Sequence, residues 1–384
     1  MYKIQTLNAI SDVTHEELSA ENYLIGKEEP VPEGILVRSA DMHERELPES
    51  LLAIARAGAG TNNIPIDECT RRGIAVFNTP GANANAVAEL VVCGLMLGGR
   101  NVSGGIQWAQ TLKGQGDAIP KLVEKGKGQF AGPEVRGKTL GVIGLGAIGV
   151  KVANAAVGLD MEVWGYDPFL SVDGALKLDR SVKHVTDLNE IFANCDYITI
   201  HVPLNADTKN TISAEAIEKM KDGVRVINLA RGELVDTKAM AKALESGKVA
   251  AYVSDFASDE ILEQENAITL PHLGASTPES EDNCAKMAVY EITEYLEKGT
   301  IRNSVNFPNL KVPYEGGYRV CLIHKNIPNM IASITSAVRC NIENMGNRSK
   351  GDYAYTIIDT AEAPTEANLD ELRAIEGMIS VRTI

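Results

Sequence analysis

The stretch Thr139-Leu140-Gly141-Val142-Ile143-Gly144-Leu145-Gly146-Ala147-Ile148-Gly149, continued by VKVANAAVG (150–158), decides the fold. An apolar run enters a GxGxxG turn and leaves it as a helix, the arrangement of a dinucleotide-binding βαβ unit. Gly144 permits the tight turn, Gly146 lets a pyrophosphate approach the backbone, and Gly149 lets helix and strand pack closely. The phosphates then meet the helix N-terminus at Ala147 and Ile148. The next apolar run, MEVWGYD (161–167), ends in Asp167, near the position ~20 residues on where an acid accepts from the ribose hydroxyls. Asp167 repels a 2′-phosphate and no arginine follows it immediately, so NAD is favoured over NADP.

Downstream, YITIHVP (197–203), RVINLA (225–230), AAYVSDF (250–256) and AITLPH (267–272) are also apolar and β-rich, with helical or loop segments between them. That rhythm predicts a doubly wound parallel sheet covered on both faces. Upstream, YKIQTL, GILVRSA, LLAIARA and IAVFN predict a first α/β domain. Residues 85–110 read as one long helix, suited to a hinge or a dimer face, and the Lys/Gly-rich stretch up to Gly128 reads as a loop. After a helix near Pro278–Gly299, the Asn/Pro-rich RNSVNFPNLKVPYEGG (302–317) marks a boundary. Residues 318–384 follow the order βαββαβ of a ferredoxin-like module. The expected architecture is α/β: two doubly wound Rossmann-like domains plus a C-terminal ferredoxin-like domain. Their expected spans are 1–97 with 278–312, 98–277, and 317–384.

At 384 residues, with 44% hydrophobic and 23% charged, the chain can bury sizeable cores. A net charge of −15 disfavours nucleic acid and anionic membranes, so an anionic substrate must be met by a local cluster of basic side chains. The six scattered cysteines form no CxxC, which predicts neither a metal site nor a disulfide framework and suits a reducing cytoplasm. The N-terminus lacks a basic and then apolar leader, and the apolar stretch 86–97 is broken by Glu89 and too short to span a bilayer. The expectation is a soluble, cytoplasmic protein.

A proton-transferring imidazole is sought among six histidines. His15, His43 and His184 lie in polar segments. His201, ahead of Val202 and Pro203, follows a strand at the carboxyl edge where ligands bind, either lining the cofactor site or serving as a hydrogen-bonded structural histidine. His272 ends the last apolar run and precedes the small-residue turn containing Gly274, which makes it the best-placed base. Arg231, after Ala230, stands where a guanidinium can hold a carboxylate through two bonds. Glu260, beyond the run that ends near Asp255, is positioned to orient His272 and raise its pKa.

In order and kind, VIGLGAIG, NLARGELVD (228–236), SDFASDE (254–260) and LPHLGAST (270–277) resemble the D-2-hydroxyacid dehydrogenases over about the first 300 residues. PHLGASTPESEDNCA (271–285), RAGAGTNN (56–63) and an ACT-like C-terminal module narrow the resemblance to members acting on D-3-phosphoglycerate in serine synthesis, in their short form. It implies NAD as cofactor, contacted also at His201, Val202, Pro203, Ala230, Asp255 and Gly274. In the implied reaction His272 is the base, Glu260 its partner with Asp259 the alternative, and Arg231 the carboxylate clamp. For a phosphorylated 2-hydroxyacid it places Arg38, Arg56, Ala59, Gly60 and Asn83 in the substrate cleft, with Asn85 an alternative to Asn83. Lys127 matches a lysine that reaches a neighbouring subunit's cleft, in a homodimer or homotetramer.

In serine-inhibited relatives, positions matching His324, Asn326 and Asn341 bind L-serine. This chain departs from the pattern at Asn329, where glycine is usual, in a shortened helix before Asn341, and in Asp259-Glu260-Ile261, where an acidic-proline pair is usual. Two other functions fit the same residues: a dehydrogenase for 2-hydroxyglutarate, glycerate or lactate, or a non-catalytic NADH-sensing scaffold.

Overall fold

In this computed structural model, which describes residues 1–8 and 10–384, five apolar runs near the N-terminus pair as a parallel sheet. They are β1 (Tyr2–Leu7), β2 (Tyr23–Gly26), β3 (Gly34–Val37), β4 (Ala53–Arg56) and β5 (Ala75–Asn78), with α1 (Val13–Glu17) and α2 (Ile66–Arg71) in the connections. The order β2-β1-β3-β4-β5 is that of a flavodoxin-like sheet, in which loops at the carboxyl ends of the strands carry the ligand. The last pairing of β3 with β4, Val37 opposite Arg56, sets Arg38 and Arg56 side by side at that edge.

A second unit spans 84–277. It opens with α3 (Ala84–Gly99), α4 (Val102–Thr111) and α5 (Ile119–Gly126). The single helix expected over 85–110 is two, bent by 68° at residues 100–101. Gly98 and Gly99 weaken the helix there, and the Asn101 side chain accepts from the Gly104 N–H to start the next one. The loop expected before Gly128 likewise contains α5, which begins with Pro120 in its first turn. Whereas 1–97 was the expected first segment, α3 belongs to the second unit, where Val91 and Leu95 join the core beneath α6, β10 and β11.

The rest of this unit runs β6 (Thr139–Ile143), α6 (Ala147–Gly158), β7 (Glu162–Tyr166), α7 (Val172–Lys177), β8 (Lys183–Val185), α8 (Leu188–Asn194), β9 (Tyr197–Ile200), α9 (Ala214–Lys219), β10 (Val224–Asn228), α10 (Thr237–Glu245), β11 (Val249–Ser254), α11 (Asp259–Leu262) and β12 (Ala267–Thr269). Its parallel sheet is ordered β12-β11-β10-β9-β6-β7-β8. The order reverses between β6 and β9, the topological switch point of a doubly wound fold. β8 escapes the sequence pattern because this three-residue edge strand exposes Lys183 and His184.

The chain then returns to the first unit with α12 (Pro278–Lys298), β13 (Tyr318–Lys325), α13 (Met330–Val338), β14 (Ile342–Lys350), β15 (Tyr353–Thr360), α14 (Glu366–Arg373) and β16 (Met378–Thr383). These last strands form an antiparallel sheet, β14-β15-β13-β16, and complete the βαββαβ order. Val320, Leu322 and Ile358 face α13 and α14. Cys321, Ile323, Tyr355 and Ile357 face the other way, into one core with Ile4, Phe77, Ile292 and Phe307. The stretch 317–384 therefore shares its interior with the N-terminal sheet. Asn329 takes φ +66°, the left-handed conformation that asparagine tolerates better than most side chains, so glycine is not required there.

Arg319 is fully buried and uses all its donor nitrogens. Nε and Nη2 bind the two oxygens of Asp359 at 2.6 and 2.8 Å, while the Nη groups also donate to the carbonyls of Lys298, Val312 and Pro313. Arg382 donates to the Tyr295 and Leu296 carbonyls and lies over the Tyr295 ring. Together they hold the C-terminal sheet to α12. Among the described residues no single helix is long and apolar enough to cross a membrane.

Two outcomes are expected. Arg319→Ala strands a largely buried carboxylate and should cost about 3–5 kcal/mol in chemical denaturation. Glu291 on α12 is 1% exposed, and burial pushes its carboxyl up to about 8, against the smaller opposing effects of Asn303 and Arg302. The folded chain keeps a proton that the unfolded chain releases above 4.5, so this contribution is full below that pH and is lost as pH rises through about 8. Glu291→Gln should flatten this part of the stability profile in thermal melts across that window.

Candidate active site

The glycine turn after β6 shows in its geometry what each position does. Gly144 has φ +93°, and its N–H donates to the Tyr166 carbonyl. A Cβ on Gly149 would lie 1.8 Å from the Gly144 carbonyl oxygen, whereas a Cβ on Gly146 would meet nothing within 4 Å. The first contact seats α6 on β6, and the second leaves open space at the helix N-terminus, where Ala147 and Ile148 present N–H groups without helical partners. Asp167 locks this turn, since one carboxylate oxygen accepts from the Leu145 N–H and the other from the Phe169 N–H, both at 2.8 Å. Each oxygen keeps a lone pair for a ribose hydroxyl.

His201 continues β9 and its N–H donates to the Ile143 carbonyl. Nε2 pairs with the Thr199 hydroxyl at 2.9 Å, while Nδ1 is buried without a partner. Burial pushes this imidazole down to about 4, so it is neutral at ordinary pH. Val202 lies against the glycine turn, close to Gly144. Pro203 is exposed, and its carbonyl accepts from Thr208. The open space at Gly146, the Asp167 carboxylate and the unpartnered His201 nitrogen suit a dinucleotide.

Three neighbouring strand ends hold the candidate catalytic side chains. After β10, buried Asn228 accepts from the Ala230 N–H and donates to the Arg231 carbonyl at 2.8 Å, shaping the turn that exposes Arg231. The sequence reading missed Asn228, although an amide inside an apolar strand was the available signal. Arg231 bonds the Ala230 carbonyl through Nη1. After β11, Asp255 is 4% exposed and neither carboxylate oxygen has a hydrogen-bond partner of normal geometry. Burial raises its pKa, and the His272 imidazole is the strongest opposing influence, ahead of the Gly274 N–H and Arg231. After β12, exposed His272 stands edge-on to Phe256, with ring centroids 5.1 Å apart. Gly274 is buried beside Asp255 and Val87.

Glu260 is exposed on α11, and the structure does not bring it into hydrogen-bond contact with His272. Asp255, by contrast, is close enough to His272 for the imidazole to offset part of the burial that raises its carboxyl pKa.

In the first unit, Arg56 Nε donates to the Arg38 carbonyl at 2.8 Å, and Arg38 pairs with Glu281 of α12 at 2.8 Å. The Ala59 carbonyl accepts from Asn78, and among the described residues no hydrogen bond occupies the N–H of Ala59 or Gly60. Asn83 is half-buried at the end of this segment. In the second unit, Asn85 bonds Glu89, and Lys127 is an exposed partner of Glu124.

In the C-terminal module, His324 is buried, with Nδ1 on the Lys325 carbonyl and Nε2 on the Thr356 hydroxyl, and burial lowers its pKa. Asn326 donates to the Gly351 carbonyl, and Asn341 is exposed.

Residues 104–276 match the family model described as D-isomer specific 2-hydroxyacid dehydrogenase, NAD binding domain. With a relative 32% identical over 354 residues, 82% of that protein's length, the chain belongs to the D-isomer specific 2-hydroxyacid dehydrogenases. That relative is the D-3-phosphoglycerate dehydrogenase of Haemophilus influenzae, matched over 88% of this chain. The enzyme of the same name from Archaeoglobus fulgidus is 37% identical over 74% of this chain, which spans about half (53%) of that relative's length. Among solved structures, an NAD+-bound 3-phosphoglycerate dehydrogenase from Entamoeba histolytica superimposes with a TM-score of 0.61 at 27% identity, over 80% of this chain and 99% of that one.

The glycine geometry separates folding from binding. Gly146→Ala should melt like the parent yet bind NADH at least about tenfold more weakly in a fluorescence titration, whereas Gly149→Ala should lose both stability and binding. Unchanged NADH affinity in Gly146→Ala would remove this turn as the pyrophosphate site.

Proposed function

We propose that the chain oxidises D-3-phosphoglycerate to 3-phosphohydroxypyruvate with NAD, the entry reaction of phosphorylated serine synthesis. The observation that carries this reading is the grouping of Arg231, Asp255 and His272 at adjacent strand ends of an NAD-binding domain. When bound, NAD accepts the hydride from C2. His272 takes the proton of the 2-hydroxyl and returns it in the reverse reduction. Arg231 holds the substrate carboxylate and stabilises negative charge on the reacting oxygen. Asp255, with Ala230 and Gly274, is assigned to the cofactor side. Glu260 is assigned to orient and charge the imidazole, which requires it to leave the exposed position it holds here. In the first unit, Arg38, Arg56 and the free N–H groups of Ala59 and Gly60 supply positive potential for the phosphate, with Asn83 beside them.

Finer assignments accompany this reading. The C-terminal module is proposed as an ACT-type regulatory domain that takes L-serine between paired copies, in a cytoplasmic homodimer or homotetramer in which Lys127 reaches the neighbouring cleft. Asn326 and Asn341 are the exposed amides suited to a zwitterion, while His324, satisfied internally, shapes the site from beneath. A specific observation supports a second reading. Glu281 pairs with Arg38 and offsets part of its charge, so the charge left over also suits a second carboxylate, as in D-2-hydroxyglutarate.

The test is NAD reduction at alkaline pH with D-3-phosphoglycerate beside D-2-hydroxyglutarate, D-glycerate and D-lactate. Preference for the phosphorylated acid is expected, and turnover of only the unphosphorylated acids overturns the substrate assignment. His272→Ala should lower kcat by about 10²–10⁴ with NADH affinity unchanged.

A further inference from the structure

On one face of β14, Gly346, Arg348 and Lys350 turn toward the segment 304–312. A Cβ on Gly346 would come within 2.6 Å of Val312 and 3.1 Å of Leu310, so the strand approaches that segment closely there. Beyond Gly346 a cleft opens between the strand and that segment. Lys350 bridges the gap, its Nζ donating to the Ser304 carbonyl at 3.2 Å and the Val305 carbonyl at 2.9 Å. Between these two points lies an open cleft of about 390 Å³ lined by Phe307, Pro308, Asn309, Arg348, Ser349 and Lys350, with Ser304 at its edge.

The charge in this cleft is unlike the rest of the molecule. The chain carries −15 overall, yet two cations and no carboxylate line this space. Among the described residues the Arg348 guanidinium has neither an ion pair nor a hydrogen bond, and the Asn309 side-chain amide is likewise free. Two backbone carbonyls occupy two ammonium hydrogens of Lys350, which leaves a third. A planar fork beside a point cation matches a tetrahedral oxyanion. The volume falls at the small end of metabolite sites of roughly 300–1,000 Å³ and exceeds that of a bare ion.

We propose that this cleft is a binding site for a small phosphate monoester, its phosphate held by Arg348 and Lys350 and its organic part lying on Pro308 beside Asn309. The site is separate from the proposed substrate arginines and joins β14 to the segment that follows α12. Occupancy therefore ties the C-terminal module to that segment and stabilises the folded chain.

The experiment is calorimetric titration of the full chain with glycerol phosphate and, separately, inorganic phosphate, in an Arg38→Gln/Arg56→Gln background that removes the proposed substrate site. Saturable binding is expected there, tighter for the ester than for free phosphate, with a ligand-dependent rise in Tm. Adding Arg348→Gln should weaken it by about tenfold or more, with Arg348→Lys intermediate and the ligand-free Tm unchanged. Lys350→Met gives the second variant. Absence of saturable binding at millimolar ligand, or affinity in Arg348→Gln and in Lys350→Met equal to that of the background, overturns the proposal. Equal affinity for ester and free phosphate overturns the role given to Pro308 and Asn309.

Discussion

The second unit depends on one close approach, the 1.8 Å that would separate a Cβ on Gly149 from the Gly144 carbonyl oxygen. Only with no side chain at 149 does α6 start directly against the end of β6 and aim its first N–H groups into the space beside Gly146. Asp167 then braces the turn by accepting from Leu145 and Phe169 on either side. The rest follows from the parallel sheet, which delivers His201, Arg231, Asp255 and His272 to a single edge because strands running the same way end on the same side.

The first unit is organised around buried arginine. Isolated, such a charge would be prohibitively costly to desolvate, and Arg319 is tolerated because Asp359 and three carbonyls satisfy its donors. Arg382 performs a related task on the carbonyls at the end of α12. That helix therefore carries the C-terminal module at one end and, through Glu281, Arg38 at the other. One continuous helix thus links the buried arginines of the C-terminal sheet to the Arg38 ion pair.

Much of this was legible in the chain. Apolar runs at regular spacing located six of the seven strands of the second sheet, and GxGxxG placed the cofactor turn within its strand and helix. β8 was not legible because an exposed edge strand needs no apolar alternation. The break at residues 100–101 was missed because helical periodicity continues across it, and only the Gly98-Gly99 pair and the Asn101 cap interrupt the backbone. Strand-end position singled out Arg231 and His272 as candidates, whereas the nearness of Asp255 to His272 depends on the pairing of β11 with β12, and the exposure of Glu260 on the placement of a short helix. His324 was an effector candidate through the resemblance alone, and its bond to Thr356, 32 residues away on another strand, was not legible in the local sequence.

The sequence by itself determined the class of fold and the glycine turn with the acid that ends the next strand, because these rest on local periodicity and on glycines within a few residues of one another. Tertiary structure alone decided that the C-terminal module shares a core with the N-terminal sheet, that Arg319 and Glu291 are buried, and that Arg348 faces a cleft without an acid. Those facts depend on pairs far apart along the chain, such as Phe77 with Tyr295 or Lys350 with Val305, and no local pattern encodes which distant surface covers a given face.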